Sequence, residues 1–529
     1  MRPKYRGFLL LFFTLSLISS LFNFSENIQF SKPRYGGTIR IKSFANIFRK
    51  SLDPASSESF RFISEQLYDG LVQLDKNLNI TPCLAEYWEI SPDGKKYTFY
   101  LRKGVRFHHR KELTAEDVVF SFKRILTLKP TSPYHQLFVS KIVGAQEYLS
   151  GKADGVSGLK VKDKYAFEVE WKTPFVPALY LFSMPTWKIL PEDLLKKEGK
   201  DFFNKPSGTG PFQFDYWLRD TRLNIVGVRL KRNDSYFLGK PYLDAIEFSP
   251  HYTLDHFLNG EIDIIPVVSE KLLKGNYPVV GIDQLKFTFL GFSCRRAPFN
   301  NKKLRKAFSQ IINKKNLVQL FYRIHTVPQI TNNYIPPHLP GFFPKETEEN
   351  HNTEEVKTLF DRTFPVKNDS LVITLFCSAS DRVLARKVYR ELKNQFNFLN
   401  IKLRLKTYKS REEIKKNKDP YIIIVSRSMD FPEPDDIIIP LFYSKSNFNL
   451  FEYNNPKIDA LIGQTQMETS WTKRIEMFNL IEDILKEEVP AIPLFYYQQR
   501  VALQDYVRGG EVSPLGFGTL NIREIWLAK

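Results

Sequence analysis

The sequence predicts an α/β protein of two or three domains, on three observations. At 529 residues the chain exceeds one ordinary hydrophobic core. Between residues 371 and 426, β-branched apolar runs alternate with amphipathic helical ones, as in a βαβαβ unit. Around residues 87–107, strand-like runs flank Ser91-Pro-Asp-Gly94, which has the composition of a hairpin turn. Hydrophobic residues at 43% and charged residues at 26% fit a folded chain, not a disordered one. The 45 Phe and 25 Tyr supply side chains for cores and for an aromatic-lined cleft.

At the amino terminus, Arg2, Lys4 and Arg6 precede residues 7–25, an uncharged stretch rich in Leu and Phe. That is a secretory signal pattern. No clean small-x-small cleavage site follows, so residues 1–31 read as a signal peptide or as an uncleaved anchor in the inner membrane. No cysteine lies nearby for a lipid anchor, and no later run reaches transmembrane length. The chain is expected to be exported to the periplasm and otherwise soluble. The three cysteines, Cys83, Cys294 and Cys377, are odd in number and widely spaced, forming neither a zinc pattern nor a disulfide framework. Free, mostly buried thiols are expected, with a Cys294–Cys377 bridge as the alternative. The net charge of +19 is spread along the whole chain. It implies a general attraction to anionic surfaces and no nucleic-acid partner, because no basic stripe or base-stacking motif accompanies it.

After Gly36-Gly37, residues 38–42 alternate apolar and basic side chains as a strand does. Ser51-Leu-Asp-Pro54 makes a turn and residues 64–71 read as a short helix. Residues 87–90 and 97–102 pair across the Ser91–Gly94 turn, and Lys103-Gly104 leads into Val105-Arg-Phe107. Thr114 is a helix cap, with Asp117 standing where Glu or Gln is usual. Val118, Val119, Phe122 and Ile125 then share one face. Leu304, Ala307, Phe308, Ile311 and Ile312 form the stripe of a later helix. In the βαβαβ unit, 371–376, 401–406 and 421–425 are the strands. Residues 382–399 form a helix with Leu384, Val388, Leu392 and Phe396 aligned, and 411–417 form a short charged one. Right-handed crossovers make the three strands parallel.

The third strand runs into Met429-Asp-Phe-Pro-Glu-Pro434. Pro432 and Pro434 cannot continue a ladder and force an irregular turn. Open α/β sheets bind ligands just beyond the carboxyl ends of their strands, so Asp430 stands where a carboxylate can receive a cation. The other reading is a surface turn whose Asp hydrogen-bonds its own backbone.

Several segments fall in the order and spacing of one family. They are Leu67-Tyr-Asp-Gly-Leu71, Leu84-Ala-Glu-Tyr-Trp88, Tyr97-Thr-Phe-Tyr-Leu-Arg-Lys-Gly-Val-Arg-Phe107 and Leu113-Thr-Ala-Glu-Asp-Val-Val-Phe-Ser-Phe122. Gly208-Thr-Gly-Pro-Phe212, Arg232-Asn-Asp-Ser-Tyr236, Gly239-Lys-Pro-Tyr-Leu243, Gly260-Glu-Ile-Asp-Ile264 and Val489-Pro-Ala-Ile-Pro-Leu-Phe-Tyr-Tyr497 continue the series. The chain thereby resembles the extracytoplasmic solute-binding proteins of peptide ABC importers, family 5. One departure is that His109-Arg110 replaces the family's usual acidic-glycine turn.

The resemblance implies a bilobal, periplasmic-binding-protein-like α/β fold (type II, cluster C) with an additional small subdomain. Lobe I would collect residues 32–58, 165–285 and 488–529, the insertion 59–164, and lobe II 286–487. It also implies that Asp430 receives a ligand's α-ammonium, that Tyr134 faces the ligand, and that Ser57, Glu58 and Ser59 offer extended backbone to it. Tyr496 and Tyr497 either reach the hinge side or pack. Arg427 replaces a frequent Trp, and Ile424 stands where some oligopeptide binders carry Arg. Arg427 reads either as a planar fork for a ligand carboxylate or as a solvated charge at a strand end.

The residues argue against catalysis. His108-His109 lacks a carboxylate at metal spacing and reads as a solvated loop. Gly291-Phe-Ser-Cys-Arg295 lacks the closing Gly of a nucleophile elbow, and Gly208-Thr-Gly210 lacks the Lys of a phosphate loop. No enzyme activity, cofactor or metal is expected. The expected partners are short peptides, an ABC permease and its ATPase subunits, with membrane contact through the permease or an uncleaved amino terminus. Competing readings keep the fold and change the ligand to a nickel chelate, haem or a sugar, or make the chain a ligand sensor. An exported hydrolase is the third.

Overall fold

The computed structural model describes residues 32–43, 52–55, 61–128, 141–342, 353–363, 371–379 and 382–529. The export segment, Ser57, Glu58, Ser59 and Tyr134 lie outside the described residues. Among the described residues, eleven strands join one curled sheet. In chain order they are β1 (Thr38–Lys42), β2 (Phe212–Arg219), β3 (Ile225–Arg232), β4 (Ala245–Ser249), β5 (Ile264–Pro266), β6 (Val279–Phe292), β7 (Thr326–Ile330), β8 (Leu371–Ser378), β9 (Ile401–Tyr408), β10 (Tyr421–Ser428) and β11 (Ala491–Leu503). Their order across the sheet is β9-β8-β10-β6-β11-β5-β1-β4-β3-β2, with β7 also on β11.

The expected parallel unit is present. β8 pairs in parallel with β9 on one side and β10 on the other. Helix α2 (Arg382–Gln395) crosses over this unit and buries Ala385, Val388 and Leu392 against it. It ends at Gln395 and not at Leu399, where the chain tightens into a turn with the Leu399 N–H on the Phe396 carbonyl at 3.0 Å. Phe396 and Leu399 remain in the core, so the apolar stripe outlasts the helix.

Two long antiparallel strands, β6 and β11, run through the middle of the sheet. The βαβαβ unit lies on one side of them and β1 to β5 on the other, which gives the molecule its two lobes. The register between β6 and β11 slips between Gln284 and Phe287 and again between Thr288 and Phe289. Such bulges bend a strand locally, and these sit where the chain passes between the lobes.

A separate four-stranded sheet contains Ala85–Ile90, Lys96–Leu101, Ala166–Glu170 and Leu159–Asp163, in that order. It therefore runs past residue 164, the expected end of the insertion. The Ser91–Gly94 turn closes with the Gly94 N–H on the Ser91 carbonyl at 2.8 Å, at a Gly94 φ of +66° that favours glycine. Helix α1 (Ala115–Thr127) starts as expected, with the Asp117 carboxylate accepting the Thr114 N–H at 3.1 Å. Val118, Phe122 and Ile125 are buried, and Val119 is partly buried against the same core while lining a cavity of about 1020 Å³.

The helix expected at 64–71 spans Arg61–Leu67, because the Leu67 carbonyl accepts the Gly210 N–H at 3.0 Å and closes the helix end. That approach accounts for both glycines of Gly208-Thr-Gly210. A Cβ at Gly208 or Gly210 would fall 2.0 Å or 2.4 Å from the carbonyl oxygens of Leu67 and Gln66. His108, expected in a solvated loop, is clamped on the same turn. Its Nδ1 accepts the Gly208 N–H at 3.1 Å and its Nε2 lies 3.0 Å from the Gly210 carbonyl. Burial pulls its imidazole down to about 4. The ring therefore stays neutral and ties its own turn to the Gly208–Gly210 turn.

Arg110 has a φ of +77°, in the left-handed region that costs a side chain about 1–2 kcal/mol. Its side chain is exposed, and the bond its carbonyl accepts from Arg106 at 2.8 Å does not depend on it. Arg110→Gly is expected to stabilise the fold by about 0.5–1 kcal/mol after the extra unfolded-state entropy of glycine. A midpoint of urea unfolding no higher than that of the parent would refute this.

Cys83, Cys294 and Cys377 are free thiols, with Cys83 and Cys377 buried. Among the described residues, no helix is long and apolar enough to cross a membrane.

Candidate functional site

β10 ends at Ser428, and the following loop, residues 429–436, is fastened to the sheet before Pro432 and Pro434 turn the chain away. The Met429 N–H donates to the Leu285 carbonyl at 2.8 Å, which fixes the loop to the bulged stretch of β6. Met429 and Phe431 are buried, whereas the Asp430 side chain between them keeps 40% exposure. Apolar neighbours thus hold the loop, and the carboxylate is left facing outward.

The sequence reading missed Asp436, which organises this loop. It opens helix α3 (Asp435–Phe442) and is fully buried. Its carboxylate accepts the main-chain N–H groups of Asp430 and of Phe431, the second at 3.2 Å. Arg427 donates from Nε to the Asp436 carbonyl at 2.8 Å and from a terminal nitrogen to the Asp436 carboxylate. Burial pushes the Asp436 carboxyl up to about 6, against the pull of Arg427. The structure thus places the Arg427 guanidinium on an internal partner, 3.7 Å from Asp430, and leaves only 14% of its side chain exposed.

The ladder brings Arg427, Phe287 and Tyr496 side by side. Phe287 stands opposite Arg427 on β10 and opposite Tyr496 on β11, so the three side chains share one face of the sheet. Tyr496 is half-buried, with its ring 4.9 Å from that of His338 and 5.9 Å from that of Phe287. Burial and the nearby Asp283 charge both raise its phenol. Tyr497 points to the other face, where Lys286 lies 4.8 Å above its ring and Thr288 stands 3.4 Å from its hydroxyl. Of the expected site residues, Asp430, Arg427 and Tyr496 therefore gather beside the bulged central strands.

Behind the loop lies a buried ionic cluster. Arg474, on helix α4 (Trp471–Glu488), forks onto Glu433 at 3.2 and 2.8 Å, reaches Asp435 at 3.2 Å and donates to the Thr465 carbonyl at 3.0 Å. Burial raises the Glu433 carboxyl and pushes Asp435 up to about 7, with Arg474 opposing both shifts. A carboxyl that holds its proton more tightly when folded stabilises the fold below its unfolded value, and that contribution is lost as pH rises through its folded value. Asp435 thus makes stability fall between about pH 4 and about 7. Asp435→Asn is expected to flatten that part of the curve in urea titrations, and an unchanged slope would contradict the assignment.

Chemically, this arrangement offers an outward carboxylate for a cation and an aromatic wall beside it. Among the described residues, no three His, Cys, Asp or Glu groups gather to hold a metal ion.

Known proteins share this architecture. A family profile described as bacterial extracellular solute-binding proteins, family 5 Middle, matches residues 79–449. The heme-binding protein A of Haemophilus influenzae is 27% identical over 489 residues, covering 87% of each chain. The dipeptide-binding protein of Escherichia coli is 26% identical over 492 residues, covering 87% of this chain and 89% of its own. The solved structure of a periplasmic binding protein from Helicobacter pylori in complex with the peptide STSA superposes with a TM-score of 0.72 at 23% identity. That likeness covers 94% of this chain and 99% of the other.

Proposed function

Because this chain belongs to the bacterial extracellular solute-binding proteins of family 5, we propose that it captures short peptides in the periplasm and delivers them to an ABC permease. ATP is hydrolysed by the permease's partner subunits, and this chain is a binding protein, not an enzyme. Residues 1–31 direct export.

The observation that carries this reading is Asp430, held half-exposed beside the bulged central strands by Met429, Phe431 and Asp436. It receives the α-ammonium of the peptide. Tyr496 forms the adjoining wall, and Arg427 keeps the loop in shape through Asp436. Tyr134, Ser57, Glu58 and Ser59 make further contacts with the peptide. The lobes divide as 32–58 with 171–285 and 488–529 against 286–487, with the insertion running from 59 through the Ala166–Glu170 strand. β6 and β11 are the hinge, so binding proceeds by closure over the guest. A peptide held mainly through its backbone leaves side-chain preference wide.

The similarity to a heme-binding protein supports a second reading, in which the same cleft takes haem. Native mass spectrometry of the purified protein, incubated with a peptide mixture and separately with haem, decides between them. Added masses of short peptides support the first reading, and the mass of haem alone supports the second. Cleaved peptides would overturn both in favour of a hydrolase.

A further inference from the structure

The positive charge is less even than the chain as a whole suggests. Residues 382–418 hold thirteen Lys or Arg against three Glu, so this one stretch carries +10 of the net +19. It folds as helix α2, strand β9 and the short turns that follow, at one end of the large sheet. β9 pairs with β8 on one side, and among the described residues no strand lies on its other side. The Tyr389 hydroxyl donates to the Leu403 carbonyl at 3.2 Å and ties α2 along this free edge.

The two periods sort the side chains. On α2, Ala385, Val388 and Leu392 face the core, and Arg382, Arg386, Lys387, Arg390 and Lys393 are exposed. On β9, Leu403 enters the same core as α2, so Lys402, Arg404 and Lys406 project from the opposite face of the sheet. All three are exposed, with Lys406 Nζ 5.7 Å over the Phe376 ring. Basic side chains therefore flank the free edge on both faces. Among the described residues, none of these eight meets a carboxylate at ion-pair distance. Glu391, the acid of α2, is taken instead by Asn316 at 2.9 Å and Gln395 at 2.8 Å. So many like charges repel one another, and an anionic partner relieves that cost.

The make-up of the edge selects the partner. A helix of fourteen residues and a strand of eight each run for about 20–25 Å, so the charge forms a strip and not a cleft. Among the described residues of the strip, Val383 is the one exposed large apolar side chain. Protein interfaces are built on aromatic and apolar anchors and are poor in Lys. An anionic bilayer needs no such anchors, because it attracts every Lys or Arg held within a Debye length of its surface.

We propose that the β9 edge, together with α2, is a membrane-contact face that lies against anionic phospholipid headgroups. It holds the chain at the bilayer whatever ligand the protein carries.

The test is co-sedimentation of the purified exported protein with vesicles of phosphatidylcholine alone, or of phosphatidylcholine with about one third phosphatidylglycerol. The anionic vesicles are expected to bind at least about tenfold more tightly, and to lose at least about tenfold between roughly 50 and 300 mM salt. Lys402→Gln, Arg404→Gln and Lys406→Gln together are expected to weaken that binding about a hundredfold. Arg386→Gln, Lys387→Gln and Arg390→Gln, on the other face, serve if the first set does not fold, and are expected to reproduce the loss. Lys152→Gln, Lys197→Gln and Lys200→Gln remove equal charge from exposed positions elsewhere and are expected to stay within about twofold of the parent. Equal losses in all three sets would reduce the effect to net charge and overturn the proposal. Equal binding to both kinds of vesicle, or binding to neither, would overturn it too. Binding to soluble polyglutamate without binding to the anionic vesicles would assign the edge to an acidic protein and likewise overturn it.

Discussion

Replacing Asp430 with Ala is expected to weaken the binding of short peptides by about 2–5 kcal/mol, roughly 30-fold to several thousandfold. An exposed ion pair is worth only about 0–1 kcal/mol, and Asp430 is 40% exposed. Closure over a guest changes that, because the same charge separation interacts several times more strongly once water is excluded. Arg427 sharpens the effect. Its guanidinium stands 3.7 Å from the Asp430 carboxylate, so removing the acid leaves an incoming ammonium beside a cation that Asp436 only partly offsets. The bonds that shape the loop run from main-chain N–H groups to Asp436 and survive the substitution. Affinity is therefore expected to drop with the unfolding midpoint unchanged. Asp430→Asn separates charge from shape: it should lose most of the affinity as well, while N-acetylated peptides respond to neither change. Calorimetry showing the parent affinity in the Ala variant would take Asp430 out of the site.

Whatever depended on local pattern was legible in the sequence. The βαβαβ unit could be read from its 2.0 and 3.6 periods and its bounding prolines, and β8, β9 and β10 do lie parallel. The same reading placed Asp430 at a carboxyl end, and the structure sets it there, one residue from the anchor between Met429 and Leu285.

What depended on partners distant in sequence was not legible. Glu433, Asp435 and Asp436 carry no signal in the sequence beyond their acidity, because their roles come from Arg474, some forty residues on, and from the return of Arg427 onto α3. Arg427 left two readings open for the same reason: a strand-end charge shows its partner only once the loop has folded back. His108 read as solvated because hairpin composition carries no information on the Gly208–Gly210 turn that meets it about a hundred residues later. Val119 fitted the stripe of α1 by spacing. The structure leaves it partly buried at the edge of that core, which Val118, Phe122 and Ile125 enter fully.

Arg474→Met is expected to cost about 3–5 kcal/mol of folding stability, the penalty for breaking a buried ion pair from one side. Among the described residues the side chain is one of the largest fully buried, and its removal takes a guanidinium from Glu433 and Asp435, which are both buried. Because burial already raises both carboxyls, the variant has an escape in acid: protonated, they need no counter-ion. The deficit in urea midpoint should therefore be large near pH 8 and shrink toward pH 5. Adding Glu433→Gln and Asp435→Asn to Arg474→Met should recover much of the loss, since the cost lies in the stranded charges more than in the missing bonds. The two sources of instability then come apart experimentally. A cavity left by the lost guanidinium would be insensitive to pH and would persist in the triple variant. A stranded pair of carboxylates would vanish with the acid groups. A deficit that is constant across pH and unrelieved in the triple variant would mean that Arg474 stabilises this region by packing on Trp471 and Phe478, whose rings lie 5.5 and 5.6 Å away, and not by its charge.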